Sequence, residues 1–308
     1  MILDRIRNRQ ARDEALYEEA VAQAERNEQK RLEEEAAWGW PEDGEWEPRE
    51  RAFTPAELEL LEPVCERALC TEASPDTFRD AAAVRIVQQF GVPQRKNAPD
   101  AHSYLRALAQ KHFVDVAKLY LKRNPQASVV DLGCGLSTTL RQLDNRKLHW
   151  YNIDAPERLE LRTELELDTT GRIKSVPANP KDPAWFDEVR FIKRKGLVLM
   201  INDVTESWSA WELKNLLYGV RERFPDTLVM FECIGGNVAK ARHEGFRLFD
   251  LNAKAVFHAW LDEPSTRVYE TSKLPEELAK SADIAQDTRK QIGRCYSKGE
   301  QILVDIIF

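Results

Sequence analysis

The stretch Ser128-Val-Val-Asp-Leu-Gly-Cys-Gly-Leu-Ser137 constrains the fold more than any other part of the chain. Val129 and Val130 open it as an apolar run the length of a buried strand, and Gly133-x-Gly135 closes it. Residues 136–143 then read as a helix with Ser137 as its N-cap. A strand that stops at a glycine turn and feeds a helix leaves a crevice at its C-terminal end. Glycines there let a ligand approach the backbone, and the helix start offers N–H groups.

Two nucleotide readings compete for that crevice. A dinucleotide site wants a third glycine for close helix–strand packing, and the matching position here is Thr138. Asp131 stands two residues before the first glycine, and this D-x-G-x-G pattern is the one associated with S-adenosylmethionine (SAM), which has no pyrophosphate to cradle. The next apolar run, residues 148–153, reads as a strand ending at Asp154. That acid follows the glycines by about 20 residues, the separation expected for a carboxylate gripping ribose hydroxyls. A glycine turn in some other α/β protein is the plainer alternative, and the two acids together favour SAM over it.

Around this stretch strands and helices alternate. Residues 158–165 read as a helix, 173–176 as a strand, 183–192 as a helix, 198–201 as a strand, 206–224 as a helix and 227–231 as a strand. That alternation predicts an α/β fold: a Rossmann-like parallel sheet with helices on both faces. Ahead of it Thr54-Pro-Ala-Glu57 matches a capping box with proline in the first turn, and 82–90 and 104–121 read as further helices. Beyond a turn at Gly235-Gly236, residues 246–251, 255–261 and 301–308 are apolar enough for strands. A closing antiparallel hairpin at the sheet edge fits them.

The chain divides at about residue 53. Residues 1–37 lack Gly and Pro and are rich in Ala, Glu, Arg and Gln, as a solvated helix would be, and Trp38, Trp40 and Trp46 follow in a segment broken by Gly and Pro. Residues 1–53 are therefore read as an acidic helical extension. Residues 54–308 are read as the main domain, with a helical cap over 54–127 and the α/β core over 128–308. Residues 1–50 hold 8 Lys/Arg against 15 Asp/Glu, so the whole net charge of −7 lies there. A neutral main domain argues against a nucleic-acid partner held by bulk charge. The five cysteines form no C-x-x-C pair, the five histidines show no metal-ligand spacing, and no signal core or membrane-length apolar run is visible. These features suggest a cytoplasmic protein with no metal and no membrane partner. A homo-oligomer, or a partner held through residues 1–50, remains open.

The chain resembles the leucine carboxyl methyltransferase and polyketide-synthesis O-methyltransferase family, class I SAM-dependent enzymes, from about Arg67 to about Asn237. Val129-Val-Asp-Leu-Gly-Cys-Gly-Leu-Ser-Thr-Thr-Leu140 and Asn152-Ile-Asp-Ala-Pro-Glu-Arg-Leu-Glu-Leu-Arg162 carry most of the likeness. Phe78-Arg-Asp80 and Tyr104-Leu-Arg106 resemble two shorter family segments. The resemblance implies that Gly133 and Gly135 admit the methionine part of SAM, that Asp131 shapes the turn, and that Asp154 takes the ribose. It implies that Arg106, with Arg67 as second candidate, meets the SAM carboxylate, that Asn179 and Pro180 flank the adenine, and that Asn202 lines the pocket floor. The chain departs from the pattern where Asn179 replaces an Asp and Asn202 a Glu, so charge is lost at both.

The function implied is methyl transfer to a carboxylate or hydroxyl of a small molecule. A carboxylate is already nucleophilic at neutral pH, whereas a phenol needs a base. Glu206, His102 and His258 are the candidates for that base. A protein carboxyl methyltransferase, a non-catalytic interaction subunit of the same fold and a dehydrogenase are the alternatives.

Overall fold

Thr54 starts the first described helix as its sequence requires. Its side chain accepts from the Glu57 N–H while the Glu57 carboxylate accepts from the Thr54 N–H, and helix α1 runs over Pro55–Ala73. Asp80 caps α2 (Ala81–Gln89), and Asp100 caps α3 (Ala101–Arg123) by accepting from the Ser103 N–H. The computed structural model describes residues 47–49, 51–94, 97–168, 171–202, 208–234, 253–261, 266–271, 278 and 280–308. The expected helix over 1–37, the Trp segment, the Gly235-Gly236 turn, the strand at 246–251 and Glu206 lie outside them. Contacts divide the chain into two units, Met1–Glu47 and Pro48–Phe308, and the second holds all the described helices and strands.

After the three helices come β1 (Ser128–Leu132), α4 (Thr139–Leu143), β2 (His149–Asp154), α5 (Pro156–Glu164), β3 (Ile173–Pro177), β4 (Leu197–Ile201), α6 (Ala210–Arg223) and β5 (Thr227–Cys233). The chain then gives α7 (Ala253–Leu261), β6 (Arg267–Thr271), α8 (Gln286–Lys298) and β7 (Ile302–Ile307). The seven strands form one sheet in the order β3-β2-β1-β4-β5-β7-β6. The first five are parallel, and β7 lies antiparallel between β5 and β6. This is the expected α/β, Rossmann-like sheet with its closing antiparallel pair. The strand order reverses between β1 and β4, which opens a crevice at their C-terminal ends.

The side-chain alternation of the strands divides the core. Val130, Leu132, Leu199 and Phe231 face one side, where they meet α6, α7 and the Trp185–Phe186 pair. Val129, Val198, Met200 and Met230 face the other, against Phe113, Val114 and Ala117 of α3. A third cluster joins α1 and α2 to Leu161 of α5 and to Leu136 beside the glycine turn. The cap helices are thus packed onto the rim of the crevice.

Four local expectations change. Ser137 is not a cap: α4 begins at Thr139, and the Ser137 hydroxyl turns to Thr139 instead. The helix expected over 183–192 is a short 3₁₀ segment, Pro183–Glu188, which buries Trp185 and Phe186 and then stops. Residues 255–261 belong to a helix, not a strand: Phe257 and Leu261, four apart, are the buried pair, which is helical spacing. The helix expected from 206 starts at Ala210 behind a Ser209–Glu212 capping box. Trp208 is therefore buried before it, while Trp211 is 71% exposed on its outer face. Strand β6 had no expectation attached. No helix among the described residues is long and apolar enough to cross a membrane.

Candidate functional site

The glycine turn is built where β1 ends. Gly133 and Gly135 both adopt positive φ, +66° and +43°, conformations that side chains strain to reach. The Gly133 N–H donates to the Ile153 carbonyl of β2, and the Gly135 N–H donates to Asp154 Oδ2 at 2.7 Å. Arg162 of α5 holds the turn from below. Its Nη1 donates to the Gly135 and Ser137 carbonyls at 3.0 Å each, while Nε and Nη2 form a two-point bridge to Asp168.

A second buried hub ties the cap helices to the turn. Asp80 Oδ2 accepts from Arg67 Nε at 3.0 Å, from Gln110 Nε2 at 3.0 Å and from the Thr138 hydroxyl at 2.6 Å. Its other oxygen caps α2 through the Ala83 N–H. Arg67 also donates to the Leu136 carbonyl. This commits Arg67 to the scaffold, so of the two arginines expected to meet a SAM carboxylate Arg106 is the more exposed. One carboxylate thus joins α1, α2, α3 and the residues after the turn.

Above the turn lies a cleft of about 350 Å³, walled by α1 and α3 and floored by the turn and the ends of β4 and β5. Arg106, Gly133, Gly135 and Asn202 all line it, as do Gln110 and Glu232. Arg106 Nε sits 3.3 Å from Glu66. Asn202 Nδ2 donates to Asp131 Oδ1 at 2.9 Å. Asp131 lies beneath the cleft, and burial pushes its carboxyl up to about 6, against the pull of Arg162, Ser137 and Asn202. Burial also drives the Cys134 thiol far above its ordinary range, so Cys134 is a packed neutral residue rather than a nucleophile.

Asp154 is 2% exposed and already engaged. Besides the Gly135 N–H it accepts from the Ala155 N–H at 2.8 Å and from Arg158 Nη1 at 3.2 Å. Arg158, one helical turn on, lines the cleft. Asn179 is exposed in the turn after β3, where its side chain accepts from the Lys181 N–H, and the Pro180 carbonyl accepts from Trp185. Neither is among the residues lining the cleft, though the Ala178 N–H bonds the Asp154 carbonyl and keeps that turn beside it. His102 and His258 are exposed on α3 and α7 and do not line the cleft either.

Sequence reasoning missed Gln110, Arg158, Arg162 and Glu232. Gln110 follows Arg106 by one turn of α3, a helical spacing that was available. Glu232 had no such signal. It reaches the cleft because Phe231 of β5 pairs with Ile201 of β4, which sets Glu232 level with Asn202. Its carboxylate accepts from Gln301 Nε2 at 3.0 Å.

No family model and no curated protein matches the sequence. Similar solved structures do exist, at low identity. A protein from Thermobifida fusca described as a methyltransferase is 12% identical, with a TM-score of 0.48 over 83% of this chain and 98% of that one. The N-methyltransferase NodS of Bradyrhizobium japonicum, with S-adenosylhomocysteine (SAH), is 9% identical, with a TM-score of 0.41 over 64% and 85%. The geranyl diphosphate C-methyltransferase of Streptomyces coelicolor, with SAH and a substrate analogue, is 15% identical, with a TM-score of 0.39 over 67% and 76%. Likenesses this distant say nothing about the ligands of this chain. The resemblance to the leucine carboxyl methyltransferases rests on the motifs alone.

Proposed function

We propose that the protein is a SAM-dependent O-methyltransferase acting on a carboxylate or hydroxyl of a small molecule. One observation carries the reading. The Gly133-x-Gly135 turn floors a cleft at the β1/β4 reversal, with an arginine of α3 on its wall and, behind the turn, a buried acid at the end of β2 that accepts from the Gly135 N–H. The donor set suits a cofactor with a diol at one end and an amino acid at the other.

SAM would supply an activated methyl group on its sulfonium. The residues of this chain bind and orient. The two glycines leave room for a ligand against the backbone; a Cβ built at Gly135 would meet nothing within 4 Å. Asp154 is the acceptor for ribose hydroxyls, which would take the place of Arg158 on its carboxylate. Asn179 and Pro180, in the turn beside it, are assigned to the adenine edge. Arg106 pairs with the amino-acid carboxylate, exchanging Glu66 for it. Asn202, held by Asp131, and Glu232 line the floor towards the acceptor side. Positioning the donor against a nucleophile and excluding water supplies much of the rate in such a displacement. A carboxylate acceptor needs no base. For a hydroxyl, Glu59 and Glu232 are the carboxylates among the described residues lining the cleft, and Glu232 is the one on its floor.

A non-catalytic SAM-fold interaction subunit is the second reading, favoured by the Arg158 contact that already occupies Asp154. Calorimetry with SAM and SAH on the wild type and Asp154→Ala tests both. Micromolar binding that weakens at least tenfold in the variant supports the SAM pocket. Absence of binding to the wild type overturns it.

A further inference from the structure

Away from the cleft, three side chains with metal-binding atoms converge. His102 lies in the first turn of α3, Cys295 in the last turn of α8, and Glu300 just past that helix. Their ligand atoms all lie within 4.8 Å of one another. From these we infer that the protein binds a zinc-class divalent ion here, a site independent of the SAM reading.

The backbone fixes two of the three ligands. Helix α8 ends in a left-handed Gly299, whose N–H donates to the Tyr296 carbonyl, while the Glu300 N–H reaches back to the Cys295 carbonyl at 2.9 Å. This pair of bonds is a Schellman ending. It sets the side chains of Cys295 and Glu300 next to each other, at positions that ordinarily carry an apolar contact. Here they carry a thiol and a carboxylate. The third ligand is presented by packing: Ile292, Cys295 and Tyr296 of α8 lie in one buried cluster with Ala101, Leu105 and Leu108 of α3. Gln301 locks the same junction, donating to the Leu105 carbonyl and accepting from the Tyr296 hydroxyl.

The chemistry of the set selects the ion. One sulfur, one imidazole nitrogen and one carboxylate oxygen suit zinc or cobalt and disfavour magnesium or calcium, which take oxygen ligands. Metal bonds of about 2.0–2.3 Å need ligand atoms roughly 3.3–3.8 Å apart in a tetrahedral site. The present spread closes to that by rotation of the exposed imidazole and the Glu300 side chain. Asp100, which caps α3 two residues before His102, places a carboxylate nearby. Lys298 lies 3.9 Å from Glu300 and is 67% exposed, so it can withdraw into water. Three protein ligands leave the fourth position to water. Binding converts the Cys295 thiol to a thiolate and releases its proton, so affinity rises with pH. The ion would fasten the start of α3, one turn before Arg106, to the α8–β7 junction.

Cobalt(II) titration of the reduced full-length chain tests this, with zinc as competitor. The expected result is one ion per chain, a near-ultraviolet thiolate-to-cobalt charge-transfer band, visible bands of a four-coordinate ion, and displacement of both by zinc. Cys295→Ser should abolish the charge-transfer band, and His102→Ala and Glu300→Gln should each weaken uptake at least tenfold. His102 is exposed, so its variant decides the matter if Cys295→Ser does not fold. No saturable charge-transfer band in the wild type overturns the inference. So does a band that persists unchanged in His102→Ala.

Discussion

Around the glycine turn, Arg67 and Arg162 have side chains 8% and 1% exposed, each tied to a buried carboxylate, Asp80 and Asp168. At the rim of the cleft, Arg106 and Arg158 are 45% and 43% exposed and reach Glu66 and Asp154. The charge types are the same, but the surroundings differ. A buried pair cannot exchange its partner for water, so it fixes the backbone it holds. A half-exposed arginine exchanges partners at little cost, because water screens both states. The floor is therefore a fixed cradle, while the rim holds cations that a ligand can recruit.

Four substitutions test that contrast. The largest effect is expected for Asp80→Ala, which leaves Arg67 buried without its carboxylate and removes the acceptor of Gln110 and Thr138. Denaturant unfolding should show a loss of about 3–5 kcal/mol. A loss below about 1 kcal/mol would make the floor no more rigid than the rim.

Asp131→Asn comes next. The folded protein holds the Asp131 carboxyl at about 6, above its unfolded value of 3.8, so its neutral form is the one favoured by folding. The stability this gives the wild type is present below the unfolded value and is lost as pH rises through about 6. The variant, neutral throughout, should gain on the wild type across that window, by up to about 3 kcal/mol. Melting temperatures of both proteins against pH measure it, and a difference that does not change with pH would refute the raised value.

Arg106→Gln should leave stability within about 1 kcal/mol of the wild type and weaken SAM binding about tenfold in calorimetry. A fall in stability as large as that of Asp80→Ala would move Arg106 from the rim to the floor. The smallest effect is expected for Arg158→Ala. Removing the competitor for Asp154 should tighten SAH binding by a few-fold, roughly 1 kcal/mol or less. Weaker binding would mean that Arg158 holds the ligand instead of standing in its place.

Much of the scaffold was legible because its signals are local. The Thr54 capping box, the strand-to-glycine turn at 128–135 and the alternation through Thr227 depend on residues a few positions apart. Residues 255–261 failed for the same reason: a short apolar run fits a strand or a helix, and only the burial of Phe257 and Leu261 against the sheet separates the two. Of the site, Arg106, Gly133, Gly135 and Asn202 were legible in the motifs and line the cleft. Their motif spacing is local as well.

By itself the sequence determined where the chain turns, which runs are buried and that an acid follows the glycines at the spacing of a nucleotide site. These follow from backbone preferences and side-chain periodicity, which act over a few residues. Only the tertiary structure decided that Asp80 gathers three helices and the turn, and that Glu232 stands level with Asn202. It alone brought His102 beside Cys295 and Glu300. Such convergences depend on sheet register and helix packing, which sum many weak contacts across distant segments and leave no pattern along the chain.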